Sequence, residues 1–414
     1  MSAPLPTHTQ LAFPLLEVLR EHGPMSAADA TQAVADRLGL SRETREARAP
    51  MPGYSKNGVG LLARRLRWVK QTHVNRGLVD SLERSTWSLT EQGRGFCHDA
   101  QPGLLLTVFE TARGVCVWSD FKTAMGVLKD GSVQAVVSSP PYPILGGRAY
   151  GRFTPEACVS MLEEFFGGLR RVLTSNGSVV VNLADVWEQG QPSRSLYQEE
   201  LLIKLVKTHG YFLNDRFTWI NPSKPACTDW VTKRRERVRS STEHFFWLSP
   251  TARPWADNRQ VLVPYGETMR RTIIRGGDPR APRPSGHGHA GASYAKDNGG
   301  AIPPNHFIAS NASSNNEYHR FCRRMKLPIH PARFPEKDVL DFFIKFLTRP
   351  GDLVADFFGG SQLLPATAEK YGRRWFSCDR HLPYLRGGVG RFAGAEGLHV
   401  HSVPGEPKSV LLLP

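Results

Sequence analysis

Val136-Val137-Ser138-Ser139-Pro140-Pro141-Tyr142-Pro143 is a β-branched run that stops at two prolines. It follows the turn-like Asp130-Gly131-Ser132 and reads as a buried strand. Proline cannot donate to a ladder, so the pair marks the strand's end. A hydroxyl, a stiff backbone and an aromatic face are thereby held at a strand tip, where α/β sheets place their sites. Pro-Pro-Tyr also occurs in plain turns and partner-binding tails, so this stretch needs support from elsewhere in the chain.

That support lies some 220 residues on. His330-Pro331-Ala332-Arg333-Phe334-Pro335 opens a predicted helix over 336–347. A strand over 353–358 follows, broken by Gly359-Gly360-Ser361 before a helix over 362–371. Glycines at a strand-to-helix turn let a ligand approach the backbone closely, and Ser361 is placed to cap the helix. Pro365 falls in the first turn, where a missing N–H is tolerated. A strand over 374–378 then ends in Asp379, where an acid would bond ribose hydroxyls. Strand, turn, helix, strand and acid in this order are far more specific than a glycine turn alone.

The segments between alternate in the same way. Apolar strands at 104–109 and 115–118, a helix over 121–128 after Asp120, an amphipathic helix over 154–173, a strand over 178–183 after Asn176-Gly177, a helix over 196–210 and strands at 212–220 and 243–248 predict a layered α/β sheet. Asp120 is placed to cap its helix or to bond a cofactor amine.

Composition narrows the function. With 414 residues and 40% hydrophobic content this is a globular chain of two or three domains. The net charge of +15 points to a polyanion. Residues 231–330 carry 17 Lys and Arg against 7 Asp and Glu, so most of the excess is local. It includes Lys233, Arg234, Arg235, Arg237 and Arg239 before an aromatic strand, then Arg270, Arg271, Arg275, Arg280 and Arg283 among glycines and prolines. Flexible backbone with arginine suits phosphate and guanine-edge contacts, so a target-recognition segment is placed at 250–318. Gly286-His287-Gly288-His289 has no companion carboxylate or thiolate cluster, and no metal is expected. Six scattered cysteines without a Cys-x-x-Cys pair argue against a disulfide framework. No apolar run reaches membrane-spanning length, and a cytoplasmic location is expected.

Residues 1–98 form a separate domain, with 104–414 as the catalytic one. Helices over 10–21, 27–38 and 60–74 precede two short strands, the second at 86–89, which is the order of a winged helix. The third helix carries Arg64, Arg65, Arg67 and Lys70 and either enters a DNA groove or is a solvated basic face. With 13 basic against 10 acidic residues in 1–99, overall charge does not separate the two readings. Arg76-Gly77-Leu78-Val79 and Trp87-Ser88-Leu89-Thr90-Glu91-Gln92-Gly93 resemble the N-terminal domain of Mrr-type restriction enzymes.

The ordered stretches SSPPYP, RRERVRSSTEHFFWLS, HPARFPEK and DFFGGS…GRRWFSCD resemble those of β-class DNA amino-methyltransferases of the N4-cytosine type. The resemblance implies a Rossmann-like, circularly permuted S-adenosylmethionine-dependent methyltransferase sheet acting on double-stranded DNA. It implies catalytic and base-stacking roles for Ser139, Pro140, Pro141 and Tyr142. Phe358, Gly359, Gly360 and Ser361 would form the cofactor loop, with Asp356 facing the methionine ammonium, Asp379 the ribose, Phe334 the cofactor's wall and Asp120 the adenine. Gln362-Leu363-Leu364 departs from the family's usual Asn-Thr-Thr or Gly-Thr-Thr and removes hydroxyls near the methionine carboxylate. A hydroxyl at Ser139 can bind either amine, so N6-adenine transfer stays open, as does a DNA-binding regulator with an inert cofactor fold. Any restriction endonuclease would be a separate chain, and the enzyme a monomer or homodimer.

Overall fold

The computed structural model describes residues 5–50, 59–83, 86–97, 99–143, 154–277, 294–311, 316–331 and 334–403. The chain folds as two compact units, one centred on residues before 105 and one formed by 105–379 with 384–400.

The first unit is ordered α1 (His8–His22), β1 (Met25–Ser26), α2 (Ala27–Arg37), α3 (Arg42–Glu46), β2 (Arg48–Ala49), β3 (Val59–Gly60), α4 (Leu61–Asn75), β4 (Val79–Glu83), β5 (Thr86–Leu89) and α5 (Glu91–Phe96). Leu11, Leu15 and Leu19 of α1, Ala30 and Val34 of α2 and Leu62, Leu66 and Val69 of α4 recur at helical spacing and meet in one core. Trp87 and Leu89 of β5 close that core from the sheet, whose order is β1-β5-β4. The short α3, capped by the Ser41 hydroxyl on the Thr44 N–H, occupies part of the stretch expected to be a polar loop.

The second unit is organised on a ten-stranded sheet. Its strands are β6 (Leu106–Thr111), β7 (Gly114–Trp118), β8 (Val133–Ser138), β9 (Leu173–Leu183), β10 (Phe212–Ile220), β11 (Thr242–Ser249), β12 (His306–Ile308), β13 (Leu353–Asp356), β14 (Arg374–Asp379) and β15 (His399–Val400). Across the sheet the order is β12-β10-β11-β9-β8-β13-β14-β7-β6-β15. The central five, β9-β8-β13-β14-β7, are parallel. From β8 the chain winds outward to β9, and from β13 it winds outward the other way to β14. The direction reverses between β8 and β13, which is where α/β sheets bind ligands.

The helices of this unit are α6 (Phe121–Gly126), α7 (Pro155–Val172), α8 (Tyr197–Lys207), α9 (Glu267–Ile274), α10 (Glu317–Arg324), α11 (Asp341–Leu347), α12 (Leu363–Lys370) and α13 (Leu382–Gly388). Every residue of β8 is buried, as its unbroken β-branched run requires. Leu162, Phe165, Phe166 and Leu169 of α7 pack in the same core as Val136 and Val179. Phe165 anchors the site from below, with ring centroids 5.8 Å from Phe357 and 5.1 Å from Phe358.

Two expectations need correction. The strand expected at 178–183 begins at Leu173, and its pairing with β8 jumps from Val133↔Leu173 to Ala135↔Ser178, so Asn176-Gly177 lies in a bulge rather than a connecting turn. The helix expected over 336–347 opens as a wide π turn, Glu336–Leu340, before α11. The segment placed at 250–318 contributes β12, which joins the ten-stranded sheet beside β10.

Gly114 pairs with Trp375 across the β7–β14 ladder. A Cβ there would lie 2.2 Å from the Trp375 carbonyl oxygen and 2.3 Å from its indole ring. Gly114→Val is therefore expected to destabilise the protein by about 1–3 kcal/mol through overpacking. Thermal unfolding followed by circular dichroism checks this, with a lowered midpoint expected.

Candidate active site

The floor of the site is a contact between the two central strand tips. β8 and β13 pair through Ala135↔Val354 and Val136↔Ala355. One step further, the Ser138 hydroxyl donates to Asp356 Oδ1 at 2.5 Å. The Phe358 backbone N–H donates to the same oxygen at 3.1 Å. Asp356 is only 6% exposed. Burial pushes its carboxyl up to about 7, a rise that the two hydrogen bonds oppose and the neighbouring Asp379 reinforces. A buried carboxyl held in this way is a receptor for a cationic group.

Beyond Asp356 the chain turns through Gly359-Gly360-Ser361. Gly360 has φ +42° and a Cβ there would meet His330 Nε2 at 2.7 Å, so only glycine fits without displacement. Its N–H donates to Asp379 Oδ2 at 2.8 Å. Ser361 does not cap α12, contrary to expectation. Gln362, in the left-handed region at φ 59°, is the residue before the helix and gives no side-chain cap. Its amide lies fully buried, and a Cβ on Gly359 would meet it at 2.4 Å. Leu363 and Leu364 line the site in its place.

A cleft opens above this floor, at the strand tips where α/β sheets hold small molecules. Ser139, Phe334, Asp356, Phe358, Gly359, Gly360 and Ser361 all line it, so residues far apart in sequence are brought together. Pro140, Pro141, Tyr142, Asp120 and Asp379 are not among its lining residues. Tyr142 packs half-buried against the core, and the Pro141 carbonyl accepts from Cys158 Sγ at 3.7 Å. Asp120 caps α6, accepting from the Lys122 and Thr123 N–H groups at 2.9 and 3.0 Å.

Two residues of the site were not singled out from sequence. His330 lines the cleft above Gly360, its ring edge-on to Tyr384 at 4.7 Å. Asn182 stands on β9, where a lone amide in the apolar run Val179–Leu183 was the available signal. Its Nδ2 donates to the His244 carbonyl at 3.3 Å, which turns Oδ1 toward Ser139. Oδ1 then accepts the Ser139 hydroxyl hydrogen at 3.3 Å. The serine oxygen keeps its lone pairs for a donor in the cleft.

The basic residues expected to meet DNA are solvent-facing but partly used within the fold. Arg234 stacks on Trp230 at 4.9 Å and pairs with Asp229 at 3.4 Å. Arg237 and Arg239 donate to the carbonyls of Pro192 and Pro222, and Arg235, just before them, adopts φ 58°. Lys233 ends the wide turn Thr228–Lys233. Arg270 and Arg271 lie on α9, Arg275 follows it, and Arg271 pairs with Glu267. Arg280, Arg283 and the Gly286–His289 run lie outside the described residues.

A family model described as DNA methylase matches residues 133–389. The chain belongs to the DNA methylase family. A model of the Mrr N-terminal domain matches residues 8–98. This DNA methylase is 37% identical to the type II methyltransferase M.PvuII of Proteus hauseri over 287 residues, covering 69% of this chain and 85% of that one. Among solved structures it is similar to the PvuII DNA methyltransferase (cytosine-N4-specific), with a TM-score of 0.55 and 31% identity over 71% of this chain and 89% of that one.

The raised carboxyl of Asp356 has a consequence for the stability of this methylase. Its folded value of about 7 exceeds the ordinary 3.8, so the native state holds the proton longer than the unfolded chain does. Stability is full below about pH 4 and falls, by at most about 1.4 kcal/mol per unit, as pH rises toward 7. Asp356→Asn keeps an acceptor for Ser138 and Phe358 and removes the titration. The ligand-free variant is expected to melt higher than the parent at pH 8 and to match it near pH 4, checked by differential scanning calorimetry at the two pH values.

Proposed function

We propose that this DNA methylase transfers the methyl group of S-adenosylmethionine to the exocyclic N4 amine of a cytosine flipped out of duplex DNA. The reading is carried by one observation: the Ser139 hydroxyl, polarised as an acceptor by Asn182, stands in the same cleft as the buried Asp356 carboxyl. The residues present fit the cofactor, because a glycine cradle admits a flat ligand and Asp356 is short of a cation. S-adenosylmethionine supplies an electrophilic methyl group on a sulfonium.

The chain's own work is positioning. Asp356 takes the ammonium of the cofactor, Phe334 and Phe358 wall it in, and the Gly359-Gly360-Ser361 turn gives it backbone access. Asp379, which already holds the loop through Gly360, serves the ribose side, and Asp120 stands on the adenine side. Ser139 Oγ and the Pro140 carbonyl each accept one N–H of the target amine. Accepting both makes the nitrogen pyramidal and aims its lone pair at the methyl carbon. Holding the two reactants in line is worth roughly 7–11 kcal/mol of the barrier. When bound, the cofactor would give up its methyl group by exchanging the C–S bond for the new N–C bond and would leave as a neutral thioether. The amine then loses one proton to solvent, since an amide at Asn182 cannot take it. Flipping costs about a few kcal/mol, and Tyr142 offsets part of this by stacking on the base.

Lys233, Arg234, Arg235, Arg237, Arg239, Arg270, Arg271 and Arg275 hold the duplex, with 250–318 reading its sequence. The enzyme works in the cytoplasm as a monomer or homodimer within a restriction-modification system whose endonuclease is a separate chain. Transfer to adenine N6 is the second reading, because a serine hydroxyl accepts either amine.

Ser139→Ala is expected to lower methyl transfer by on the order of 10²–10³-fold while DNA binding is retained. An unchanged yield would remove the assignment. Nucleoside mass analysis of DNA methylated by the parent should show N4-methylcytosine; N6-methyladenine would select the second reading. Cofactor affinity should fall as pH drops below about 7, where Asp356 takes up a proton that the ligand must expel, measurable by calorimetric titration from about pH 5.5 to about pH 8, which spans the transition.

A further inference from the structure

We infer that Arg391 and Tyr318 are positioning residues that set the width of the cofactor cleft, one holding its floor and the other its roof. The inference rests on the reading of that cleft as the S-adenosylmethionine site. Neither residue lines the cleft, and neither falls in the stretches that resemble the family's motifs.

The floor is the glycine turn. Its Ser361 carbonyl accepts from Arg391 Nε at 2.8 Å, while the Gly360 N–H is tied to Asp379 on the other side. The roof is His330, whose Nε2 lies 2.7 Å from where a Cβ on Gly360 would stand. The His330 backbone N–H donates to the Tyr318 hydroxyl oxygen at 2.8 Å. Behind the cleft the two anchors meet. The guanidinium carbon of Arg391 lies over the Tyr318 ring, 4.9 Å from its centroid, inside the about 6 Å reach of a cation–π contact. Floor and roof are thus joined through a single stacked pair, and a ligand lying on Gly360 beneath His330 meets a gap whose width that pair fixes.

Glycines seat the pair. Tyr318, 2% exposed, belongs to α10, and Arg391 to the tight turn Val389–Phe392 that follows α13. Gly387-Gly388-Val389-Gly390 runs between α10 and the cofactor turn. A Cβ on Gly387 would meet Cys322 Sγ at 2.7 Å and Tyr318 Cε2 at 3.1 Å. On Gly390 it would meet Phe321 Cγ at 2.4 Å, and on Gly388 it would meet Gln362 Cγ at 2.4 Å. The segment therefore lies flush against α10 and against the residue after the turn at once. The amide of that residue, Gln362, is buried with no hydrogen-bond partner among the described residues. It does not hold the turn, and the grip on the Ser361 carbonyl falls to Arg391, whose planar guanidinium can stack and donate together.

The test uses the full chain, with S-adenosylmethionine binding read by calorimetric titration without DNA, alongside steady-state kinetics and thermal unfolding. Tyr318→Phe keeps the ring and releases the His330 N–H; Arg391→Met keeps the stem and releases the Ser361 carbonyl. Each should weaken cofactor binding about tenfold. The KM for cofactor should rise in step, with kcat at saturating cofactor and the KM for DNA left at parent values. Arg391→Lys, which can still reach the carbonyl, should recover most of the affinity. The double variant should lose less than the product of the two single losses, because both act on one gap. A lowered melting temperature with parent cofactor affinity would reduce the pair to packing and overturn the inference, as would single losses that multiply in full. Should Arg391→Met fail to fold, Tyr318→Phe, which removes one buried oxygen, decides the matter alone. A parent chain that did not bind S-adenosylmethionine would instead sink the cofactor reading, so the two failures are distinguishable.

Discussion

A single hydrogen bond between residues 218 apart in sequence, from Ser138 to Asp356, sits where the two halves of the catalytic sheet meet. It exists because β8 and β13 are neighbours in the sheet despite their separation along the chain. A parallel pair of strands winding outward in opposite directions leaves a crevice at their carboxyl ends. The serine tip, the carboxyl and the glycine turn all open into that crevice. Without the β8–β13 ladder the methylase would have two half-sites and no cleft.

The same arrangement is costly to the protein without ligand. Asp356 is buried, and burial raises its carboxyl to about 7, with Asp379 adding to the rise. Behind the glycine turn, both polar atoms of the Gln362 amide and the Ser377 hydroxyl find no hydrogen-bond partner among the described residues, and each such group costs about 1–3 kcal/mol. The surroundings bear this through packing: Phe165, Phe357 and Phe358 form a tight aromatic cluster under the turn. Stability is given up around the site and recovered in the core that supports it.

Charge in this chain is sorted by surface rather than by amount. The first unit is almost balanced overall, yet α4 holds only basic residues and the exposed side of α2 holds acidic ones. In the second unit several arginines of the 233–239 run bond backbone carbonyls or stack on Trp230, so they shape the loop as well as charging it. A charge count therefore measured the partner's sign without locating the contact.

Local chemistry was legible in the chain itself. Prolines ended β8, glycines marked the turn after β13, and helical spacing defined α1, α2, α4 and α7, because these effects depend on near neighbours. The family and its motif order followed from the same short stretches. What sequence could not supply was anything decided by strand adjacency or by the direction of a side chain. Asn182 acquired its place only because β9 lies between β8 and β11, with Ser139 on one side and the His244 carbonyl on the other. His330 reached Gly360 through the packing of a loop. Ser361 lost the cap because Gln362 took the left-handed conformation before α12. Residue identity thus set the elements and their ends, while long-range pairing decided which groups share a cleft, since contact energies between distant strands leave no periodic trace in the chain.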